Sequence, residues 1–86
     1  MADRATGKVN RIFTGSSGAY IRLADLPADS IPKDGYFLLG RDHVNYDSLY
    51  SLVLTAAVNR FDIQIKSVDQ IDPNEYAAVQ YMVITW

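Results

Sequence analysis

The stretch NYDSLYSLVLTAAVNRFDIQIKSV, residues 45–68, changes its hydrophobic period from that of a helix to that of a strand within a single residue. At about 100° per residue, Tyr46, Leu49, Tyr50, Leu52, Val53, Leu54, Ala56, Ala57 and Val58 cover more than half of a helical wheel. The remaining arc holds Asp47, Ser48, Ser51, Thr55 and Asn59. A lone helix on a monomer shows water a face rich in Lys and Glu, so this small, nearly uncharged stripe predicts that a second surface covers it. Asn45 or Asp47 can accept from the free amides of the first turn, and Asn59-Arg60 suits the end. From Phe61 the chain alternates, with Phe61, Ile63 and Ile65 on an inner row and Asp62, Gln64 and Lys66 on an outer one.

Working outward from this pair, residues 7–13 read as a first strand with Val9 and Phe13 on one face and Ile12 on the other, preceded by a flexible tail over residues 1–6. Residues 14–18, TGSSG, are turn chemistry, the two glycines being free to take positive φ. Residues 19–24 complete a hairpin. The segment DLPADSIPKDG, residues 25–35, has two prolines and reads as a long irregular connection tacked down by Leu26 and Ile31. YFLL, residues 36–39, is a short strand that leads to the helix. Downstream, DQIDPN at 69–74 is a turn. In a last strand, residues 76–86, Ala78, Met82, Ile84 and Trp86 oppose Ala77, Val79, Tyr81 and Val83 on two largely apolar faces.

The element order is thus β-β-β-α-β-β in a mainly β chain with one helix. One helix is too few for a two-layer βαββαβ plan or a parallel α/β sheet. The order matches a five-stranded barrel of the oligonucleotide- and oligosaccharide-binding (OB) type, which removes the edge strands of a short open sheet. An open antiparallel sheet with the helix laid across it is the alternative. With 86 residues, the chain is a single small domain that buries about 60–65% of its unfolded surface. It contains no cysteine, so neither a disulfide nor a thiolate metal site can stabilise it, and self-association is the remaining route.

At the level of pattern, the first hairpin, long loop, strand, Leu-, Tyr- and Ala-rich helix (Leu49-Tyr50-Ser51-Leu52 to Ala56-Ala57) and FDIQIKSV strand resemble the B subunits of pentameric bacterial toxins. In those rings the helices line a central pore and neighbouring barrels pair through edge strands. The resemblance implies a ring-forming binding protein with glycan sites on exposed loops. Secreted members of that family commonly carry a leader and a disulfide. MADRATGKVN has no basic segment followed by an apolar core, so the expectation is an orphan cytoplasmic relative, or a secreted one if a leader has been removed.

The function expected is a non-enzymatic, homo-oligomeric binding or assembly module, its ligand a glycan or a protein. Ser48, Ser51, Leu52, Thr55, Asn59, Tyr81 and Trp86 are the expected subunit contact. Ser16, Ser17, Tyr20 and Arg22, on the first hairpin and its turn, are the expected ligand site. The alternative is a single-stranded nucleic-acid binder, because Lys8, Arg11 and Arg22 lie on that hairpin and Tyr20 can stack on a base. Against it stand a formal net charge of −2 and 21% charged residues. No cofactor, metal or catalytic residue is assigned. His43, in Arg41-Asp42-His43, is the only histidine, and a Ser-His-Asp set chosen without geometry carries no weight. The apolar stretches fall short of the ~20 residues needed to span a bilayer.

Overall fold

A computed structural model describes residues 2–85. Five strands, β1 (Arg4–Gly15), β2 (Gly18–Leu23), β3 (Tyr36–Gly40), β4 (Asp62–Ser67) and β5 (Ala77–Ile84), are joined by one helix, α1 (Tyr46–Asn59), between β3 and β4. β1 pairs antiparallel with β2 and, through its first half, with β4; β2 pairs antiparallel with β3 and β4 with β5. A short parallel contact, Phe37↔Ala77 and Leu38↔Ala78, joins β3 to β5. The sheet therefore closes in a ring, β1-β2-β3-β5-β4.

Inward-facing Ala19, Ile21, Phe37, Leu39, Ile63 and Ile65 are fully buried. Leu49, Val53 and Ala56, spaced three and four apart, bring one face of α1 onto this core. The helix ends on Arg60 in the left-handed region (φ 60), with the Phe61 amide donating to Ala56 O at 3.0 Å. Its start differs from expectation. Asn45 is the N-cap residue but its side chain makes no capping bond; instead its backbone N–H donates to His43 Nδ1 at 3.0 Å. No helix among the described residues is long and apolar enough to cross a membrane.

Further expectations are corrected. Residues 4–6 are not tail: Arg4, Ala5 and Thr6 pair with Lys66, Ile65 and Gln64, and Ala5 is buried. Just ahead of them, the Ala2 and Asp3 carbonyls accept from the amides of Ile71 and Ser67. Phe13 does not share the inner face with Val9, because the ladder with β2 steps from Val9↔Leu23 to Arg11↔Arg22 and leaves Asn10 as an unpaired bulge residue. One extra residue reverses the alternation beyond it, which turns Phe13 outward at 40% exposure. A second irregularity, between Lys66↔Tyr81 and Ser67↔Val79, places Gln80 in the same role on β5. Hence Ala77, Val79 and Met82 are buried, while Tyr81 and Val83 face out at 40% exposure.

In the long connection Leu26 packs on the core as expected, but Ile31 is 39% exposed and Pro32 is the buried anchor.

Candidate ligand face

The register of β1, β2 and β3 lays their outer face out in rows. Directly opposite partners point to the same side of a sheet. Arg11, Arg22 and Tyr36 form one row, Phe13, Tyr20 and Leu38 the next, and Gly15, Gly18 and Gly40 a third without side chains. The Phe13 and Tyr20 rings stack at 4.6 Å with 10° between planes. Tyr20 also meets Tyr36 and Tyr76 edge-on, at 6.2 and 5.4 Å, and Phe13 meets Tyr36 edge-on at 5.2 Å. Tyr76, at the end of the loop after β4, is thus carried to a cluster made by the first three strands. Three rings surround Tyr20, so the aromatic surface left open belongs chiefly to Phe13 and Tyr76, each 40% exposed.

Cations fringe these rings. The Arg22 guanidinium carbon lies 5.5 Å from the Tyr36 centroid, and Lys33 Nζ lies 5.1 Å from that of Tyr76. Arg22 Nε donates to Asn10 Oδ1 at 3.2 Å. At the hairpin turn, Arg41 Nη1 donates to Ser16 O at 3.3 Å and the Arg41 amide to Ser17 O at 3.0 Å. The ion pairs among the described residues are elsewhere: Lys8–Asp62 at 2.7 Å, Lys66–Asp3 at 3.2 Å and Arg4–Asp3 at 3.8 Å, all on β1, β4 or the segment leading into β1. Lys66, by its hydrogen bond and then its charge, holds the Asp3 carboxyl below its ordinary value. Arg11, Arg22, Lys33 and Arg41 have no carboxylate within 4.0 Å among the described residues.

Of the ligand residues expected from sequence, Tyr20 and Arg22 sit at the centre of this face. Ser16 and Ser17 lie at one end, exposed, in a shallow cleft with Arg41 and Asp42. Sequence reasoning missed Phe13, Tyr36, Tyr76 and Lys33 as members. The alternation of β1 pointed Phe13 inward, and the others reach the face only through the β2–β3 register and the return of the 68–76 loop.

The expected subunit contact is more dispersed. Ser48, Ser51, Thr55 and Asn59 are exposed on α1, and the Thr55 hydroxyl and Asn59 amide donate to Ser51 O and Thr55 O, each at 2.9 Å. Leu52 is half-buried and packs on the core. Tyr81 lies on β5 opposite Lys66, and Trp86 lies outside the described residues. His43 uses both ring nitrogens structurally. Nδ1 accepts from the Asn45 amide, so Nε2 carries the proton and donates to Gln80 O at 3.0 Å. No group of three or more His, Asp or Glu side chains among the described residues is placed to hold a metal ion.

No family model, curated protein or solved structure matches this chain.

Proposed function

We propose that this chain is a non-enzymatic OB-type barrel that binds single-stranded nucleic acid across the outer face of β1–β3. The cyclic strand order with a helix between β3 and β4 supports the barrel assignment, since β1–β3 form a meander and β4 returns beside β1, as in a five-stranded Greek key. In such barrels the face of the second and third strands and the loops after the first and fourth strands take oligonucleotides or oligosaccharides. Here those parts supply Tyr20, Arg22 and Tyr36, the Ser16-Ser17 turn, and Tyr76.

The observation that carries the choice of ligand is the segregation of charge. Four cations lie on or beside the aromatic rows without an ion pair among the described residues, whereas Arg4, Lys8 and Lys66 of β1 and β4 are paired; the eighth cation, Arg60 at the end of α1, is also without an ion pair there. A cation free of carboxylate remains available to phosphate, and open aromatic faces stack on bases without regard to sequence. This local arrangement outweighs the mildly acidic whole.

A fluorescence titration with a labelled thymine 12-mer tests the reading. Each phosphate neutralised contributes a slope of about −0.7 in log K against log salt for a single strand. Two to four contacts therefore give a slope of about −1.4 to −2.8, and Phe13→Leu and Tyr76→Leu each weaken binding. Absence of binding at low salt refutes the reading. Salt-independent binding of a neutral glycan instead transfers the site to sugars.

A second reading, self-association through α1, is favoured by a separate observation. Val58 is 80% exposed and Leu54 39% exposed, four residues apart on the helix face that also carries Ser51 and Thr55. Native mass spectrometry at micromolar concentration decides it, and a clean monomer removes it.

A further inference from the structure

Beside Tyr36 the outer face runs into a cleft of about 390 Å³ between the end of β2 and the β2–β3 connection, bordered by Arg22, Asp25, Leu26, Ile31, Asp34 and Gly35. Arg22 is held from three sides there. Its Nε donates to the bulge residue Asn10 at 3.2 Å, and its guanidinium lies over Tyr36. Its stem packs so closely on Gly35 that a Cβ at that position would meet Arg22 Cδ and Cγ at 3.1 and 3.2 Å. Its terminal nitrogens make no ion pair among the described residues, although two carboxylates border the same cleft. Asp25 and Asp34 sit in the left-handed region at φ 57 and 56, a conformation that Asp adopts more readily than most residues. Arginine and aspartate side chains sharing a small cleft ordinarily pair. Here an arginine fixed through its Nε and two aspartates line one cleft without an ion pair between them, with apolar Leu26 and half-exposed Ile31 beside them.

This arrangement complements one flat molecule that presents two adjacent acceptors on one edge and two adjacent donors on another. Among the nucleobases that is guanine. Its O6 and N7 accept the two N–H groups of an arginine fork, while N1–H and the N2 amino group donate to a carboxylate. Thymine and uracil offer no amino donor, and adenine has no O6.

We propose that this cleft is a single-nucleobase subsite selective for guanine, Arg22 reading O6 and N7 and Asp25 or Asp34 the N1–H and N2 edge, with Asn10 as the positioning residue for Arg22. The proposal rests on single-strand binding by the neighbouring aromatic face. The base would enter the cleft unpaired, as bases read on both edges in single strands do.

The test measures the ratio of affinities, on the same protein, for a thymine 12-mer with one central guanine and for the all-thymine 12-mer. The wild-type ratio is expected to be roughly tenfold or more, the discrimination one good bidentate contact supplies. Replacing guanine by 7-deazaguanine, which lacks the N7 acceptor, or by hypoxanthine, which lacks the N2 amino group, lowers the ratio severalfold. Arg22→Lys keeps the charge and loses the fork, and brings the ratio close to one. Asn10→Ala lowers it partially. Asp25→Asn and Asp34→Asn preserve tolerance of the left-handed backbone, and at least one of them removes the sensitivity to hypoxanthine. A wild-type ratio near one overturns the subsite while leaving single-strand binding standing. A guanine preference untouched by Arg22→Lys and by both Asn variants also overturns it. Failure to bind either oligomer overturns both readings.

Discussion

The two glycines flanking the turn of the first hairpin, Gly15 and Gly18, should respond oppositely to the same substitution. Gly18 has φ +142, and a Cβ there would lie 2.1 Å from Leu39 O and 3.0 Å from Arg41 N. Both obstacles are backbone atoms, so no side chain can swing aside. Gly18→Ala must pull β2 from β3 where Gly18↔Gly40 and Ala19↔Leu39 register. A disfavoured backbone region costs about 1–3 kcal/mol, and one or two lost backbone hydrogen bonds add about 1 kcal/mol each. A loss of about 2–5 kcal/mol follows, out of a total stability of about 4–13 kcal/mol for a chain this long. With a urea m-value of about 1 kcal/mol/M, the low end for small proteins, the midpoint falls by about 2 M or more, or the variant does not fold. Gly15 contrasts with it. Its φ is not positive, and its added Cβ would meet only Tyr20 Cε1, at an ordinary 3.7 Å. Gly15→Ala should leave stability unchanged or raise it by about 0.4–1 kcal/mol, because alanine restricts the unfolded chain. Urea melts of both variants decide the matter, and a difference of less than about 1 kcal/mol between them would refute the reasoning, since strain and clash together exceed that.

Three further outcomes follow from the structure. Lys66 lowers the Asp3 carboxyl below 3.8, so the interaction stabilises the fold fully above the unfolded value and is lost as pH falls through the lower folded one; carboxyl-carbon NMR should place the Asp3 midpoint below 3.8 and Lys66→Met should raise it, whereas a wild-type midpoint at or above the ordinary value contradicts the pairing. His43 should show the Nε2–H tautomer in long-range proton–nitrogen spectra, and His43→Ala should cost about 1–2 kcal/mol for two neutral hydrogen bonds; an Nδ1–H tautomer would contradict the bond from Asn45. If α1 packs on a second copy, Thr55→Lys places an ammonium in that contact and should weaken association by about tenfold or more, or at least ~1.4 kcal/mol; an unchanged oligomer in native mass spectrometry shows that this face meets water.

Local pattern was enough for some elements and not for others. The helix over residues 46–59 and the strand that follows were legible because Leu49, Val53 and Ala56 repeat at helical spacing and Ile63 and Ile65 alternate without interruption. The start of β1 was not, since Arg4-Ala5-Thr6 has one inward side chain and becomes a strand only through β4, about sixty residues away. Tyr20 and Arg22 could be picked out from the hairpin, but Tyr36, Tyr76 and Lys33 join them by non-local pairing that no window of sequence contains. The stripe of Asp47, Ser48, Ser51, Thr55 and Asn59 is exposed, while Leu52, expected in the subunit contact, is half-buried.

Alternation failed at two places, and both have further work in the fold. Periodicity breaks where a strand carries one extra residue, and such a residue is free of its own ladder to serve something else. Asn10, extra on β1, gives its side-chain oxygen to Arg22 Nε. Gln80, extra on β5, gives its carbonyl to His43 Nε2, tying the segment before α1 to the sheet. Absorbing Asn10 in a bulge, not in the ladder, keeps Phe13 outward beside Tyr20, and the same residue fixes the arginine at the edge of that face. Deleting Asn10 would make Val9↔Leu23 and Arg11↔Arg22 consecutive pairs, leaving Phe13 outward beside Tyr20 but taking from Arg22 the acceptor of its Nε. With Asn10 retained, a β1 paired without the bulge would instead turn Phe13 to the inner face, so in this sequence the bulge and the outward Phe13 go together. Asn10, a residue poor in strand propensity, thus sits in the longest strand at the one position that leaves the ladder with β2.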